Sequence, residues 1–333
     1  MNLSLRRICA ICLAFAILFL PIGIETASAE VCDEVILGGC PIGLELNIDG
    51  VVVVDIEKEV GVLRNSELIA GDLIVKASGI RVKNINTLIE LVNARENSIE
   101  LVVLRDGVEE KVTVGLTKDK ATGRKKMNVI VKDIIQGVGT LTYVKDDLSF
   151  GSLGHAASMI GKKTVTPICG GKPMNCLIIG VNKGLKGKAG DLKGVFVLND
   201  ALSGKVAKNN EFGVFGKFNS AYQNPVYNGK VKVARRGEVE IGKATILTTI
   251  DGNTPKEFSI EIVQKENQSS PSTKGLVIKV TDEELLAKTG GIVQGMSGSP
   301  IIQNGKFIGA VTHVFVNDPT RGFGLYAEFM VDN

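Results

Sequence analysis

The sequence predicts a mostly β protein with two folded domains behind a targeting segment. The chain has 333 residues, which suits about two domains. It contains 39 glycines and few aromatic residues, as expected where many tight turns join short strands. Candidate strands recur at short, regular intervals, and helical patterns are few.

The composition argues against several classes of protein. Lys plus Arg number 39 and Asp plus Glu number 36, and this near balance disfavours a general nucleic-acid binder. The chain has 2 histidines and no H-E-x-x-H motif, which disfavours a catalytic zinc site. We therefore expect no metal and no cofactor.

The N-terminus has the pattern of an export signal. Arg6 and Arg7 precede an apolar run from Ile8 to Ile24, and Ala27-Ser28-Ala29 follows. This predicts a signal peptide over residues 1–29, with an uncleaved membrane anchor as the alternative. In either case the rest of the chain leaves the cytoplasm.

Four cysteines lie outside the targeting segment, and their state is open from sequence. Local disulfides Cys32/Cys40 and Cys169/Cys176 are possible in an oxidising compartment, and free, partly buried thiols are the alternative. Neither spacing is the C-x2-C typical of zinc sites.

Residues 30–117 form a predicted small β-rich domain with one helix. Val51 to Val54 is a β-branched run typical of a buried strand. Thr87 to Glu90 is a capping box that predicts a helix start, and Asp106-Gly107 predicts a hairpin turn. This order resembles a PDZ domain, and the resemblance makes Ile42, Gly43 and Leu44 the peptide-binding loop. A structural module with a blocked groove is the alternative.

The charged stretch over residues 118–127 is the predicted linker, and residues 128–333 are a second domain. Its short strands and glycine-rich turns predict barrels or a sandwich.

The strongest chemical signal is the run Gln294 to Pro300, with the sequence QGMSGSP, followed by an Asn304-Gly305 hairpin. Glycines on both sides of Ser297 permit the tight turn that exposes a hydroxyl and aims backbone N–H groups at one point. The pattern resembles the nucleophile loop of chymotrypsin-like serine peptidases. It predicts Ser297 as nucleophile, with the N–H groups of Gly295 and Ser297 as oxyanion donors.

A serine nucleophile needs a base, and only His155 and His313 are available. His155 precedes Ser297 by most of the domain, which is the chain order of chymotrypsin-like enzymes. We therefore predict His155 as the base and place His313 along the substrate strand.

Asp282 is the candidate carboxylate that orients the base. It also stands just before Glu283-Glu284-Leu285-Leu286, where capping of a helix is the competing interpretation. The two interpretations stay open at this point.

The sequence from Val35 to Met330 resembles the stage IV sporulation protein B peptidases of spore-forming bacteria. The segments that carry the resemblance are Lys288 to Lys306, Gly309 to Thr320, Gly154-His155, Phe212 to Gly216 and Thr273-Lys274-Gly275.

The resemblance implies a PDZ domain followed by a chymotrypsin-like double β-barrel, with Ser297, His155 and Asp282 as the catalytic residues. It also implies export from the forespore and self-cleavage. The enzyme would then cut a membrane-bound regulator of an intramembrane metalloprotease, so that a late sporulation sigma factor is activated. We expect the PDZ-like groove to bind the chain's own N-terminal segment. The alternative function is a secreted, non-catalytic PDZ scaffold with a degenerate peptidase body.

Overall fold

The structure is a computed structural model that describes residues 33–56, 67–159, 165–197, 202–268 and 270–333. These residues belong to one compact unit spanning Cys32–Asn333. The predicted signal or anchor over residues 1–29 lies outside the described residues. Within the described ranges, no helix combines the length and the apolar character that a membrane span requires.

The elements of the described residues are numbered in chain order. The strands are β1 (Glu34–Leu37), β2 (Pro41–Ile56), β3 (Leu73–Ala77), β4 (Ile80–Arg81), β5 (Ser98–Arg105), β6 (Val108–Gly115), β7 (Thr117–Lys118), β8 (Lys125–Lys126), β9 (Val129–Val144), β10 (Ser149–Ser152), β11 (Ile168–Asn182), β12 (Asp191–Val197), β13 (Gly204–Asn210), β14 (Gly213–Phe218), β15 (Val231–Lys232), β16 (Gly242–Thr248), β17 (Lys256–Lys265), β18 (Leu276–Val280), β19 (Pro300–Gln303), β20 (Lys306–Val314) and β21 (Arg321–Tyr326). The α-helices are α1 (Ile85–Asn93), α2 (Glu283–Thr289) and α3 (Ala327–Val331), and Arg236–Glu238 is a 3-10 turn.

The first barrel is closed by six strands. Successive hydrogen-bonded neighbours are β9, β10, β14, β13, β11 and β2, and the pairing of β2 with β9 completes the circle. The alternating residues Ile42, Leu44 and Leu46 of β2 point into its core, where Phe150 stacks on Phe218 with ring centroids 4.5 Å apart. The period-2 alternation of this segment is that of a strand with one face buried in a core.

The second barrel is closed by β16, β17, β18, β21, β20 and β19. Its core contains Ile246, Phe258, Ile278 and Val311, each almost fully buried. Helix α2 follows β18 in the chain and precedes the predicted nucleophile loop. Two antiparallel six-stranded barrels confirm the predicted chymotrypsin-like double barrel.

The PDZ-like body is built on a sheet shared with the first barrel. Strands β3, β5 and β6 extend the sheet from the C-terminal half of β2, and Leu88 and Val92 of α1 pack into its core. The helix begins at Ile85, with Asn84 as its N-cap accepting from the N–H of Thr87 at 2.9 Å. The predicted helix start at Thr87 is therefore displaced, because Asn84 provides the cap.

The strands cross the predicted boundary between the two domains. The predicted PDZ-like domain, residues 30–117, includes residues 34–48. In the structure, however, β1 pairs with β9, and the first half of β2 pairs with both β9 and β11. The predicted linker contains the β7–β8 hairpin, and the N–H of Lys125 donates to Asn93 Oδ1 at the end of α1 at 3.0 Å. The PDZ-like body is thus inserted between two barrel strands, because β2 and β9 each run through both bodies.

Cys40, Cys169 and Cys176 are free thiols. Cys169 and Cys176 lie on the same strand, β11, seven positions apart, which corresponds to about 23 Å of extended chain. A disulfide needs Cα atoms within about 7 Å, so the Cys169/Cys176 pair is ruled out in this fold. Cys32 lies outside the described residues.

Candidate active site

The nucleophile loop, residues 294–299, lies between α2 and β19 and is bonded to the first barrel. The N–H of Thr140 on β9 donates to the Ser297 carbonyl at 3.0 Å, and the Thr140 hydroxyl donates to the Gly295 carbonyl at 2.8 Å. Thr140 is buried. Thr140 of the first barrel therefore fixes the backbone of the nucleophile loop, which belongs to the second barrel.

The carbonyl groups of the nucleophile loop fix where its N–H groups point. The Gln294 carbonyl accepts from the N–H of Leu192 at 2.9 Å, and the Met296 carbonyl accepts from the N–H and the hydroxyl of Ser299 at 3.0 and 2.6 Å. In a trans peptide the N–H points opposite to the C=O. The N–H groups of Gly295 and Ser297 are therefore turned away from these bonds, as oxyanion donors must be.

The Ser299 side chain belongs to a buried hydroxyl pair. Its oxygen lies 2.6 Å from the Met296 carbonyl and 2.9 Å from the hydroxyl of Thr248. A carbonyl only accepts and each hydroxyl has one proton, so Ser299 donates to Met296 and Thr248 donates to Ser299. Sequence reasoning missed this residue, because its role depends on the direction of a peptide group.

Gly295 and Gly298 adopt φ values of +97° and +94°. A Cβ on Gly298 would lie 2.4 Å from the Thr140 carbonyl oxygen and 2.5 Å from the N of Leu153. Glycine is therefore required here by both conformation and space. The structure gives a physical reason for the glycines that flank the predicted nucleophile.

His155 follows β10 of the first barrel and lies beside β20 of the second. The preceding Gly154 has a φ of +67°, and a Cβ there would lie 3.2 Å from both the Val311 carbonyl oxygen and Thr312 Cγ2. The rings of His155 and His313 have centroids 5.0 Å apart. The two histidines and Ser297 thus meet at the junction of the barrels.

The tautomer of His155 follows from its hydrogen bond. Its Nδ1 lies 2.8 Å from the carbonyl oxygen of Ala156. Because a carbonyl only accepts, the neutral ring carries its proton on Nδ1 and its lone pair on Nε2, which is the form a general base needs. Burial lowers the pKa of His155, and this hydrogen bond to Ala156 partly opposes the shift.

The pKa of His313 is lowered to about 4 by partial burial, by His155 and by Lys274. His313 is therefore neutral near pH 7. His313 lies on β20, directly after Thr312.

Ser297 is half-buried, and its hydroxyl donates to the carbonyl oxygen of Thr312 at 2.8 Å. Thr312 lies directly before His313 on β20. The nucleophile is therefore held against the strand that follows the hairpin.

Asp282 is the N-cap of α2 and does not contact the base. Its Oδ1 accepts from the N–H of Leu285 at 3.0 Å, and its Oδ2 accepts from the N–H of Ser259 at 3.3 Å. Both carboxylate oxygens are thus engaged on β17 and α2, while His155 Nδ1 bonds a backbone carbonyl. Of the two interpretations, capping is the one that the structure supports, and the predicted orienting role is not.

The residues predicted to form the peptide-binding loop lie in a barrel strand instead. Ile42, Gly43 and Leu44 lie inside β2, paired on one side with β9 and on the other with β11. Ile42 and Leu44 are buried in barrel one. A strand with both edges occupied cannot accept a peptide by strand addition, so these residues do not form the loop.

The open strand edge near α1 belongs to the start of β9. Residues 129–132 pair with β2 on one side, and no strand pairing occupies the other side in the described part of the chain. The Ile85 N–H at the start of α1 donates to Asp133 Oδ2 at 2.9 Å, which ties the helix to β9. Just before this edge, Asn128 has a φ of +53° and is buried.

A family model described as SpoIVB peptidase S55 matches residues 123–331. A search of curated proteins finds no match.

Among solved structures, the chain is similar to the PDZ domain of the SdrC-like protein of Listeria monocytogenes. The identity is 22% over 26% of this chain and 90% of that chain, with a TM-score of 0.23. It is also similar to the Rv3671c protease of M. tuberculosis. The inactive form is 16% identical over 58% of this chain and 80% of that chain, with a TM-score of 0.34. The active form is 14% identical over 59% and 70%, with a TM-score of 0.31.

The family match covers most of the chain and includes both Ser297 and His155. At the junction of the two barrels the geometry supplies a serine hydroxyl and an imidazole whose Nδ1 bonds a carbonyl, together with two N–H groups that point away from the bonded carbonyls of the loop. The chain therefore belongs to the SpoIVB peptidase S55 family and is a serine endopeptidase.

Proposed function

We propose that this serine endopeptidase acts in sporulation signalling after export across the forespore membrane. It cleaves itself and then cuts a membrane-anchored regulator of an intramembrane metalloprotease, and this activates a late sporulation sigma factor. The observation that supports the proposal is the family match over residues 123–331, which contains the nucleophile and the base.

The chemical step uses Ser297, His155 and two backbone N–H groups. Ser297 attacks the scissile carbonyl while His155 Nε2 takes its proton, and the same proton later goes to the leaving amine. The N–H groups of Gly295 and Ser297 stabilise the oxyanion. The Ala156 carbonyl holds the imidazole in the productive tautomer, a task that a carboxylate performs in many related sites.

The substrate adds as an antiparallel strand to the edge of β20 that faces the nucleophile. His313 lies opposite Phe323 of β21, and the Phe315 N–H donates to the Arg321 carbonyl at 3.0 Å. Because alternate residues of a strand direct their backbone groups to opposite sides, Thr312 and Val314 face away from β21. A substrate N–H bonded to the Thr312 carbonyl would displace the Ser297 hydroxyl and release it toward His155.

The PDZ-like body binds an extended segment at the open edge of β9, beside α1. The occupant that we propose is the N-terminal segment after Ala29 of a second copy of the chain, because β1 is fixed beside the far end of β9 from Glu34 onward and leaves too few residues to reach this edge within one chain. Strand addition would supply main-chain hydrogen bonds. Exposed apolar side chains on these two elements include Ile89 of α1 and Ile130 of β9.

The decisive experiment replaces the chromosomal copy by Ser297→Ala in the spore former that carries the protein. A reporter of the late sigma factor should then stay silent, while a second reporter of an earlier stage remains on. The purified wild type should also produce N-terminal fragments that the variant lacks. Normal late-reporter activity in the variant would overturn the signalling role.

A serine-reactive fluorophosphonate tests the scaffold alternative separately. The wild type should label and Ser297→Ala should not, whereas a degenerate peptidase body would label in neither form.

A further inference from the structure

A row of aromatic rings extends from the base along β20 and β21. The rings of His155 and His313 lie 5.0 Å apart, and Phe315 and Phe323 lie 4.5 Å apart between centroids. His313 and Phe323 are directly opposite in the strand register, so their side chains share one face of the sheet. Phe315 directly follows the last residue of β20, and its N–H donates to the Arg321 carbonyl at 3.0 Å, so the alternation of the strand continues and its side chain lies on that face as well.

Two cations flank this row. Lys274 Nζ lies 5.0 Å from the centroid of the Phe323 ring, and Arg321 Cζ lies 5.6 Å from the centroid of the Phe315 ring. We call the set of five residues the cationic platform: Lys274, His313, Phe315, Arg321 and Phe323.

The charges of the cationic platform have no acidic partner within the described residues. No salt bridge joins Lys274 or Arg321 to a carboxylate there, and Arg321 Nε is buried without a hydrogen-bond partner. The Asp318 carboxylate, close in sequence to Arg321, accepts from the hydroxyl of Thr320 at 2.6 Å. A buried guanidinium donor without a partner is costly unless a ligand supplies one.

We propose that the cationic platform is a substrate subsite that binds an acidic side chain on the N-terminal side of the scissile bond. Lys274 and Arg321 are its specificity-determining residues, and the chemical class of the substrate is an acidic peptide segment. The proposal rests on the peptidase activity and on the substrate edge proposed above, and it does not depend on the sporulation role.

The strand register indicates which substrate residue is recognised. In an antiparallel substrate, the residue before the scissile bond lies at Thr312, next to Ser297, and earlier residues run toward Val314 and Phe315. Residues directly opposite one another share a face of the sheet. The second residue before the bond therefore faces His313, and the fourth faces Phe315 and Arg321.

The aromatic rings strengthen the preference for a carboxylate. They exclude water from one side of the two cations, and a less hydrated ion pair is screened less than an exposed one. His313 is neutral near pH 7, so it adds no third charge to the cationic platform.

The test compares matched peptides with the full-length protein. Two peptide series carry Glu, Gln or Lys at the second or at the fourth residue before the bond and are otherwise identical. For the wild type we expect kcat/KM to be about three- to tenfold higher for Glu than for Gln at the fourth position. Lys274→Glu should abolish this ratio or invert it in favour of Lys. Arg321→Gln, which removes a charge without reversing it, should reduce the ratio. It keeps the test decisive if Lys274→Glu disturbs folding.

Lys243→Glu is the matched control, because Lys243 is an exposed lysine of the same barrel whose strand partner is Glu261. It should leave the Glu-to-Gln ratio as in the wild type. Equal hydrolysis of Glu and Gln peptides by the wild type at both positions would refute the subsite proposal, and so would an unchanged ratio in Lys274→Glu. Neither result would bear on the peptidase activity itself. Absence of hydrolysis of every peptide would overturn the peptidase activity, and the subsite with it.

Discussion

The hydroxyl of Ser297 donates to the carbonyl oxygen of Thr312 at 2.8 Å, between the nucleophile loop and β20. A hydroxyl has one proton, so the proton that His155 must accept is directed at Thr312 in this structure. Proton transfer to His155 therefore requires the hydrogen bond from Ser297 to Thr312 to break. Because Thr312 lies on the substrate edge that we propose, a substrate N–H that arrives at its carbonyl would compete with this hydrogen bond.

Ser297→Ala should abolish proteolysis while leaving the fold intact. Loss of a nucleophile that acts in concert with a base costs about 10⁶ in turnover in comparable sites. The measurement is kcat on a peptide that the wild type cleaves, with circular dichroism to check folding. Self-cleavage by the pure variant at near the wild-type rate would refute the assignment of Ser297.

Ser299→Ala should lower kcat by about tenfold with little change in KM. The hydroxyl fixes the Met296 carbonyl, and hence the direction of the Ser297 N–H. Complete loss of an oxyanion donor costs about 10²–10³, and a smaller effect is expected because the Ser299 N–H still bonds the same carbonyl.

Thr248→Val is the companion variant for Ser299, because it removes only the outer hydroxyl of the buried pair. It should affect kcat less than Ser299→Ala. Affinity for a peptidyl boronic acid should fall in parallel with kcat. If Ser299→Ala lowers Tm but leaves kcat and inhibitor affinity unchanged, Ser299 contributes to stability and does not orient the Ser297 N–H.

Asp282→Asn should remain active, with kcat/KM within about twofold of the wild type. Asparagine caps a helix as well as aspartate does, so α2 should persist. Asp282→Ala should cost about 1 kcal/mol of unfolding free energy through loss of the cap. A drop in turnover of about 10⁴ in the folded Asn variant would restore Asp282 as the residue that orients the base.

Activity should persist to lower pH than an ordinary imidazole would allow. The base must be neutral, and burial holds the pKa of His155 below its usual value of about 6.5. Activity is therefore expected to be full above the lowered pKa and to fall as the pH decreases through it. The measurement is kcat against pH on a neutral peptide.

His155→Ala should remove nearly all activity, whereas His313→Ala should be milder and change specificity more than chemistry. An acid limb above pH ~6.5 would contradict a buried, neutral base. The reverse ranking of the two variants would identify His313 as the base.

Ile89→Glu should alter the rate of self-cleavage while hydrolysis of a short peptide continues. Ile89 is 44% exposed on α1 beside the open edge of β9, where the N-terminal segment is proposed to bind. Val108→Glu is the control, because Val108 is 63% exposed on β6 of the same body. Unchanged self-cleavage in a folded Ile89→Glu protein would indicate that the PDZ-like body is a spacer and does not bind the N-terminal segment at this edge.

Local patterns determined the class of fold and two members of the site. Alternating and β-branched runs give strands whatever their partners, so a mostly β chain was predictable. The glycines around Ser297 are required by local backbone conformation, which is why the nucleophile loop was recognisable from its residues. Scarcity selected His155, since the sequence has 2 histidines and only one precedes the serine.

The tertiary structure decided the questions that depend on partners distant in sequence. Asp282 could cap a helix or orient an imidazole, and only the packing of β17 against α2 assigned its two oxygens. Ile42 to Leu44 has the alternation of any strand, and only its pairing with β9 and β11 placed it in a barrel instead of a peptide-binding loop. The direction of the Ser297 N–H depends on Ser299, and the tautomer of His155 depends on the Ala156 carbonyl. A hydrogen bond has a direction that a sequence pattern does not carry, so these roles appeared only once the barrels were assembled.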